Sequence, residues 1–385
     1  MKCKLSDICS FRKGKVEVEN LNAKNYISTE NMLPNKCGIT EASSLPTVSL
    51  TQEYNSGDVL VSNIRPYFKK IWQAEYDGGC SNDVLVFVPK PNTDKDFLYY
   101  VLADDDFFTY SMATSKGTKM PRGDKTSIMQ YEVPLIDLQV QKKIASVLKA
   151  LDERIKLNNE INNNLEQQAQ AIFKSWFVDF EPFGGVIPNE WKQTKLGDSC
   201  NCILGGTPSR NKSEYWNGSI PWINSGEVNK FRIIKPSETI TNLGLEKSAT
   251  KLLPAKTTVL AITGATLGQV SLLEIDACAN QSVVGIIPND NLPYEYIYPL
   301  IKQNIAELIS HQTGGAQQHI NKLNVENLDI VIPAYTHLMK YQNTVCGIYE
   351  MIANNCFEND RLSSVRDTLL PKLMSGELDV SNIKI

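Results

Sequence analysis

The stretch QKKIASVLKALDERIKLNNEINNNLEQQAQAIFKSW, residues 141–176, decides the architecture of this chain. Its core-spaced residues recur in alternating steps of four and three, which is the spacing of a coiled-coil seam on one face of an α-helix. The seam positions are Ile144, Leu148, Leu151, Ile155, Asn158, Asn162, Leu165, Ala169, Ile172 and Trp176. A helix of roughly 35 to 40 residues is about 50 to 60 Å long. Because its seam is narrow, we expect it to pack against another helix.

A second seam of the same phase lies near the C-terminus. Its positions are Val345, Ile348, Ile352, Asn355, Asn359, Leu362, Arg366, Leu369 and Leu373. A single polar residue in a seam usually marks only a solvated position, whereas two Asn layers repeated at the same place favour a device that sets the register. We therefore expect antiparallel packing, with Asn158 opposite Asn359 and Asn162 opposite Asn355.

Each helix follows a strand-rich unit, and the two units resemble each other. The alignment matches residues 58–89, DVLVSNIRPYFKKIWQAEYDGGCSNDVLVFVP, with residues 258–288, TVLAITGATLGQVSLLEIDACANQSVVGIIP. A polar loop that contains glycine follows each of these segments, at 115–125 and at 313–322. A repeated order of strands and then a helix predicts an α+β fold with two similar mixed domains and two long helices in an antiparallel coiled coil. The predicted domains cover residues 1–138 and 181–335, and the helical spacers cover 139–180 and 336–378.

The composition is that of a folded protein without a strong charge bias. Hydrophobic residues make up 42% of the chain, and 39 Lys and Arg residues face 43 Asp and Glu residues, for a net charge of -4. A DNA-binding protein of this composition must concentrate its positive charge in a surface patch or rely on partner subunits. Nine cysteines without C-x-x-C spacing and three histidines predict neither a zinc site nor a disulfide framework.

Two observations on targeting predict a protein that stays inside the cell. The charged N-terminus, residues 1–14, has no apolar run behind it, as a secretory signal would have. The most apolar long stretch, residues 257–275, is interrupted by Thr, Gly and Gln, which favours a buried strand pair over a membrane span.

Several runs resemble the specificity subunits of type I restriction-modification systems. IPNEWKQTKLGDSCNCILGGTPSRNKSEYWNGSIPWINSGEV, 187–228, is similar to the start of a target recognition domain, and SGDVLVSNIRPYFKK, 56–70, matches the other recognition domain. The central spacer of the family resembles two runs, QKKIASVLKALDERIKLNNEI at 141–161 and IFKSWFVDFEP at 172–182. Its C-terminal spacer resembles LLPKLMSGEL at 369–378. The resemblance covers essentially the whole chain.

The resemblance implies a non-catalytic, cytoplasmic subunit that binds a bipartite site in double-stranded DNA. It also implies two adenine methyltransferase subunits and two restriction subunits as partners. S-adenosylmethionine, ATP and magnesium would then be bound by those partners, and no cofactor by this chain. The sequence agrees, because it contains no Pro-Pro dipeptide for an N/D-P-P-Y/F loop and no Walker lysine motif.

Candidate DNA contacts in the second domain lie in polar loops, since base edges are read by Arg, Lys, Asn and Gln side chains held on turns. They are Thr207, Ser209, Arg210, Asn224, Gln317, Gln318 and His319. A plain polar loop is an equally good interpretation of residues 313–319. The neighbouring Trp222 is better explained as a core aromatic residue.

In the first domain the equivalent loop carries a basic cluster, and this is our main candidate for DNA contact. Its residues are Lys116, Thr118, Lys119 and Arg122. Arg65, Tyr67 and Lys69 form a second candidate group, although the solvent face of a strand often has this composition. One rival function is an enzyme, but the motifs that it would need are missing. The other is a coiled-coil adaptor that does not contact DNA, and the near-neutral charge favours this adaptor.

Overall fold

The computed structural model describes residues 1–117, 119–310, 312 and 318–380. The chain divides into two compact units. The first unit comprises residues 1–155 and the chain from Arg361 onward, and the second comprises residues 156–360.

The N-terminal part of the chain is built mainly of short strands. They are β1 (Lys2–Lys4), β2 (Cys9–Phe11), β3 (Lys15–Glu17), β4 (Tyr26–Ile27), β5 (Leu50–Tyr54), β6 (Val59–Ser62), β7 (Ile71–Gln73), β8 (Gly78–Cys80), β9 (Val84–Pro89) and β10 (Glu132–Pro134). The helices are α1 (Leu5–Ile8), α2 (Lys95–Ala103), α3 (Asp105–Ala113) and α4 (Lys125–Ile128), followed by the long α5 (Leu138–Phe177).

The strands of the first unit form two four-stranded sheets and one two-stranded pair. One sheet has the order β2-β9-β6-β7 with antiparallel neighbours, and the other has the order β3-β5-β8-β4, in which only β4 and β8 are parallel. Alternate residues of β6, Val59 and Val61, are buried in one core with Phe87 and the helical residues Phe97 and Phe107. The apolar faces of α2 and α3 therefore cover this sheet.

The second strand-rich part follows the same plan. Its strands are β11 (Lys192–Lys195), β12 (Asn201–Leu204), β13 (Trp216–Ile223), β14 (Glu238–Ile240), β15 (Leu252–Leu253), β16 (Thr258–Ala261), β17 (Val270–Leu272), β18 (Ala277–Ala279), β19 (Val283–Ile287) and β20 (Asp329–Ile332). Its helices are α6 (Leu196–Ser199), α7 (Asn242–Glu246), α8 (Tyr294–Gln303), α9 (Ile305–Ser310) and α10 (Lys322–Glu326), and the long α11 (Tyr335–Ser375) follows.

The sheets of the second unit repeat those of the first. The order β12-β19-β16-β17 corresponds to β2-β9-β6-β7. In the other sheet Cys80 and Cys278 hold the same place, since each has one parallel neighbour, Ile27 or Trp222, and one antiparallel neighbour. The three strands β5-β8-β4 of the first unit correspond to β15-β18-β13 of the second. The fourth strand differs, because β3 pairs with β5 in the first unit, whereas β14 pairs with β13 in the second.

The long helices α5 and α11 contribute to both units and pack against each other. In the second unit Asn158 donates from Nδ2 to Asn359 Oδ1 at 2.9 Å, and Asn355 donates from Nδ2 to Asn162 Oδ1 at 2.9 Å. Residues further along α5 pair with residues nearer the start of α11, so the two helices are antiparallel here. Asn158 is 0% exposed, and its Nδ2 also bonds Glu358 Oε2 at 2.8 Å.

The same helix pair continues in the first unit with different side chains. Leu148 of α5 lies in one core with Leu370 and Leu373 of α11. Arg366 donates from Nη1 to Asp152 at 2.6 Å. The predicted α+β fold, with two similar mixed domains and two long helices, is confirmed. Among the residues that the structure describes, no helix has the length and apolar composition needed to cross a membrane.

Candidate nucleic-acid interface

In the first unit the fold brings the two candidate groups of the sequence into one surface. The segment after β6 and the loop before α4 are joined by backbone hydrogen bonds from Arg65 N to Pro121 O at 2.9 Å and from Gly123 N to Asn63 O at 3.2 Å. Within the loop, Lys116 and Arg122 bond each other through both backbone groups, at 2.9 and 3.0 Å. We call residues 62–70 and 115–125 together the first loop pair.

Three basic side chains of the first loop pair face carboxylates. Lys116 Nζ lies 2.8 Å from Asp124 Oδ2, Arg122 Nη2 lies 3.1 Å from Asp83 Oδ1, and Lys69 Nζ lies 2.8 Å from Asp105 Oδ2. Hydrogen bonds from the Lys116 side chain and from the backbone N–H of Ser127 lower the pKa of Asp124 to about 2. These pairs reduce the net positive charge of the surface.

The remaining residues of this group differ in exposure. Tyr67 is 50% exposed at the tip of the turn, whereas Arg65 is half-buried and its Nε atom is buried without a hydrogen-bond partner. Lys119 is exposed. Thr118 lies outside the described residues.

The second unit has an equivalent loop pair, residues 262–268 and 318–320. Gly264 N donates to Gln318 O at 3.0 Å and Ile320 N donates to Ile262 O at 3.0 Å, in the same pattern as in the first unit. His319 pairs with Thr263 as Arg122 pairs with Ile64. Gln318 and His319 are exposed. Gln317 lies outside the described residues.

Arg210, the basic candidate of the second domain, lies in the loop after β12 and stacks on the ring of Trp216. The Arg210 guanidinium lies 3.6 Å from the centroid of the Trp216 ring and donates from both terminal nitrogens to Glu238. The hydrogen bond and charge of Glu238 raise the pKa of Arg210, and those of Arg210 lower the pKa of Glu238. A guanidinium engaged in this way has a fixed position.

Trp222 lies behind this stack in the core. It is 1% exposed, its ring centroid lies 5.1 Å from that of Trp216, and its Nε1 donates to Gly206 O at 3.2 Å. The interpretation of Trp222 as a core aromatic residue is therefore confirmed.

The other polar candidates of the second unit already bond protein groups. Thr207 donates from its hydroxyl to the amide oxygen of Gln281. Asn224 accepts from Gly226 N at 2.8 Å and so caps the short helix Ser225–Asn229. The exposed Ser209 contributes its carbonyl oxygen, which accepts from Trp216 Nε1 at 3.2 Å.

Sequence reasoning missed the acidic partners of the basic candidates. Asp83, Asp105 and Glu238 lie 39, 36 and 28 residues from Arg122, Lys69 and Arg210. Pairs at such separations leave no local periodic signal. Asn224 did carry a signal, because an Asn followed by Ser-Gly-Glu is typical of a helix N-cap.

The described part of the chain shows no arrangement typical of metal chemistry. No group of three or more His, Cys, Asp or Glu side chains among the described residues could hold a metal ion. The cysteines are free thiols, and burial raises the pKa of Cys9, Cys80, Cys200 and Cys202 to about 12. Thiols with such a pKa are poor nucleophiles. His337 accepts from Trp191 Nε1 at its Nδ1 atom, at 3.1 Å.

Comparisons with known proteins agree with these features. A family profile described as "Type I restriction modification DNA specificity domain" matches residues 1–167 and 188–337. The chain is 26% identical over 432 residues to the type I restriction enzyme HindI specificity subunit of Haemophilus influenzae, with 92% of this chain and 94% of the relative covered. It is 28% identical over 310 residues to the MjaIX specificity subunit of Methanocaldococcus jannaschii, with 77% and 72% covered.

A solved structure shares the fold. The crystal structure of the S subunit of a type I restriction-modification system from M. genitalium superposes with a TM-score of 0.61 at 16% sequence identity, and the match covers 99% of this chain and 96% of that one. The family profile covers most of the sequence, in two segments that correspond to the two repeats. The chain therefore belongs to the family of type I restriction-modification DNA specificity proteins.

Proposed function

We propose that this chain is the non-catalytic subunit that reads a bipartite DNA site for a type I restriction-modification complex. The observation that carries the proposal is the duplicated loop pair, formed in each unit by the same backbone hydrogen bonds. A scaffold that holds two similar polar surfaces suits a site with two separate halves. We assign the recognition domains to residues 1–138 and 181–335, and the spacers to 139–180 and 336–378.

The proposed DNA contacts divide by domain. In the first domain they are Lys116, Thr118, Lys119, Arg122, Arg65, Tyr67 and Lys69. In the second they are Thr207, Ser209, Arg210, Asn224, Gln317, Gln318 and His319. We further propose that the Asn layers of α5 and α11 set the helix register, and so the distance between the two halves of the site.

Catalysis would belong to partner proteins. We infer two adenine methyltransferase subunits that bind S-adenosylmethionine and two restriction subunits that use ATP and magnesium, in the cytoplasm. The missing Pro-Pro dipeptide and Walker lysine motif support this division of labour. The weak net charge also supports it, since partner subunits would contribute most of the contacts to phosphate.

Methylation mapping tests the proposal directly. The chain is co-expressed with its methyltransferase subunit, and methylated adenines are located by sequencing. We expect a split motif, and we expect Lys116→Ala combined with Lys119→Ala and Arg122→Ala to change one half of it. A continuous motif, or a change in both halves, would contradict the two-reader arrangement. The isolated chain should bind DNA weakly and transfer no methyl group.

A coiled-coil adaptor without DNA contact is the second candidate. It is favoured by the net charge of -4 and by the carboxylates that face Lys116 and Arg122. Gel shifts with and without the methyltransferase subunit separate the two functions. An adaptor leaves the sequence preference of the complex unchanged when the first loop pair is altered, whereas a reader does not.

A further inference from the structure

The turn between β6 and β7 has an uncommon backbone. Its short helix Pro66–Phe68 is flanked by Arg65, with φ 51° and ψ 66°, and by Lys69, with φ 51° and ψ 47°. Both residues lie in the left-handed region, which a side chain larger than glycine seldom adopts. The surrounding structure must therefore hold this conformation in place.

A second strained turn braces the first. Asn35 N donates to Phe68 O at 2.8 Å, and Lys36 N donates to Lys69 O at 2.9 Å. Asn35 and Lys36 also have positive φ angles, of 56° and 63°. Four of the seven non-glycine residues with positive φ in the described chain thus lie in this one contact. Strain concentrated in this way is characteristic of functional sites.

The braced turn presents two aromatic rings to solvent. Tyr67 is 50% exposed and Phe68 is 38% exposed, with their ring centroids 4.7 Å apart. We call Tyr67 and Phe68 the aromatic tip. Phe68 N donates to Arg65 O at 3.0 Å and Phe68 O accepts from Asn35 N at 2.8 Å, so hydrogen bonds on both sides of Phe68 hold the backbone of the tip.

Lysines lie in the two turns that form and brace the aromatic tip. Lys70 Nζ lies 5.8 Å from the centroid of the Phe68 ring. Lys36 and Lys69 share the carboxylate of Asp105, each at 2.8 Å. An apolar tip with flanking cations complements duplex DNA, because the cations can bind phosphates while the apolar group contacts the base edges.

We propose that the aromatic tip enters the major groove of one half-site and contacts the C5-methyl group of a thymine. This inference rests on the proposed function. Base faces are accessible in a duplex only after a step is unstacked, at an energetic cost, whereas the thymine methyl projects into the major groove of undistorted DNA. Phe68 is thereby added to the residues that determine specificity, and Asn35 and Lys36 become positioning residues.

The test uses the complex of the full chain with its methyltransferase subunit and duplexes carrying the mapped site. Each thymine is replaced in turn by uracil, which removes only the methyl group. We expect at least one replacement to weaken binding of the wild-type complex roughly three- to fivefold, as for one methyl group removed from an apolar contact. The variant Tyr67→Ala with Phe68→Ala should bind the thymine and uracil duplexes equally well.

Tyr335→Ala provides the matched control, because Tyr335 is also an exposed aromatic residue, at 61%, but lies in the second unit. This control should keep the wild-type preference for thymine. Thermal unfolding and co-elution with the methyltransferase subunit show that the double variant is folded and assembled. Loss of co-elution would overturn the inference, because the aromatic tip would then contact the protein partner.

Two further results would also overturn it. One is a wild-type complex that does not distinguish uracil from thymine at any position. The other is a double variant that keeps the full preference for thymine. Both leave the proposed function intact, because that function is tested separately by whether the mapped methylation motif is split and by which half the loop variant changes.

Discussion

Arg232 donates from Nη2 to the carboxylate of Glu166 at 2.9 Å, and both side chains are buried. Glu166 lies on α5 and Arg232 lies between β13 and β14, so the pair connects the second domain with the helix beside it. Lys302 of α8 bonds the same carboxylate at 2.9 Å. In the first unit a different set makes the corresponding connection, because Asp152 of α5 accepts from Tyr100 at 2.7 Å and from Arg366.

Removing one partner from this buried network should destabilise the second unit. Arg232→Ala leaves Lys302 as the remaining cation beside the buried carboxylate of Glu166, so we expect the free energy of unfolding to fall by roughly 3 kcal/mol, the low end of the loss for a broken buried ion pair. Urea unfolding followed by tryptophan fluorescence measures this, since four of the five tryptophans lie in residues 156–360. Lys195→Ala, which breaks the exposed pair with Asp329, is the control and should cost less than about 1 kcal/mol. Equal losses would contradict the prediction.

The same network predicts a loss of stability in acid. Burial favours a raised pKa for Glu166, but the charges of Arg232 and Lys302 outweigh it and lower the pKa from 4.5 to about 2. A carboxylate whose pKa is lower in the folded state stabilises the fold fully above its unfolded pKa, and this stabilisation is lost as the pH falls. We expect the loss between about pH 4.5 and pH 2. Glu166→Gln should flatten the pH dependence of the urea midpoint in that window, and an unchanged slope would refute the assignment.

The Asn layers should behave as coupled pairs. Asn158→Leu leaves Asn359 opposite an apolar side chain and should destabilise the helix pair by roughly 1 to 3 kcal/mol. Adding Asn359→Leu should recover part of that loss, because the two leucines can pack in the seam. A double-mutant cycle by thermal unfolding measures the coupling. Strictly additive effects would show that the two amides do not act together.

Freeing the basic side chains of the first loop pair should strengthen general DNA binding. Asp124→Asn removes the carboxylate 2.8 Å from Lys116. We expect the affinity of the complex for DNA lacking the target to rise at low salt, and the salt slope to steepen by up to about 0.9 for one freed cation. Fluorescence anisotropy across salt concentrations measures both.

Glu132→Gln is the matched control, because it removes the same charge from a pair on β10, where Lys2 Nζ lies 3.3 Å away. It should change the affinity less than Asp124→Asn does. Equal increases would mean that overall charge, and not the release of Lys116, governs binding.

The sequence predicted the helices well and the surfaces only in part. The pairing of Asn158 with Asn359 followed from heptad spacing, which is a local property of each helix. The contact between residues 62–70 and 115–125 was not predicted, because it depends on how β6 and α4 are placed by the whole sheet. The pairing of Arg122 with Asp83 depends on the same placement.

The edge strands of the two units have a consequence for folding. A chain with two similar domains in tandem risks pairing a strand of one copy with the sheet of the other, which is a common route to misfolding and aggregation. Here β3 covers one side of the shared three-stranded core in the first unit, and β14 covers the opposite side in the second. β15, the counterpart of the β5 strand that pairs with β3, is an edge strand in the second unit, and β4, the counterpart of the β13 strand that pairs with β14, is an edge strand in the first. Each sheet therefore presents an edge strand at the position where the extra strand of its duplicate would pair, and this makes strand exchange between the copies a route to misfolding in this chain.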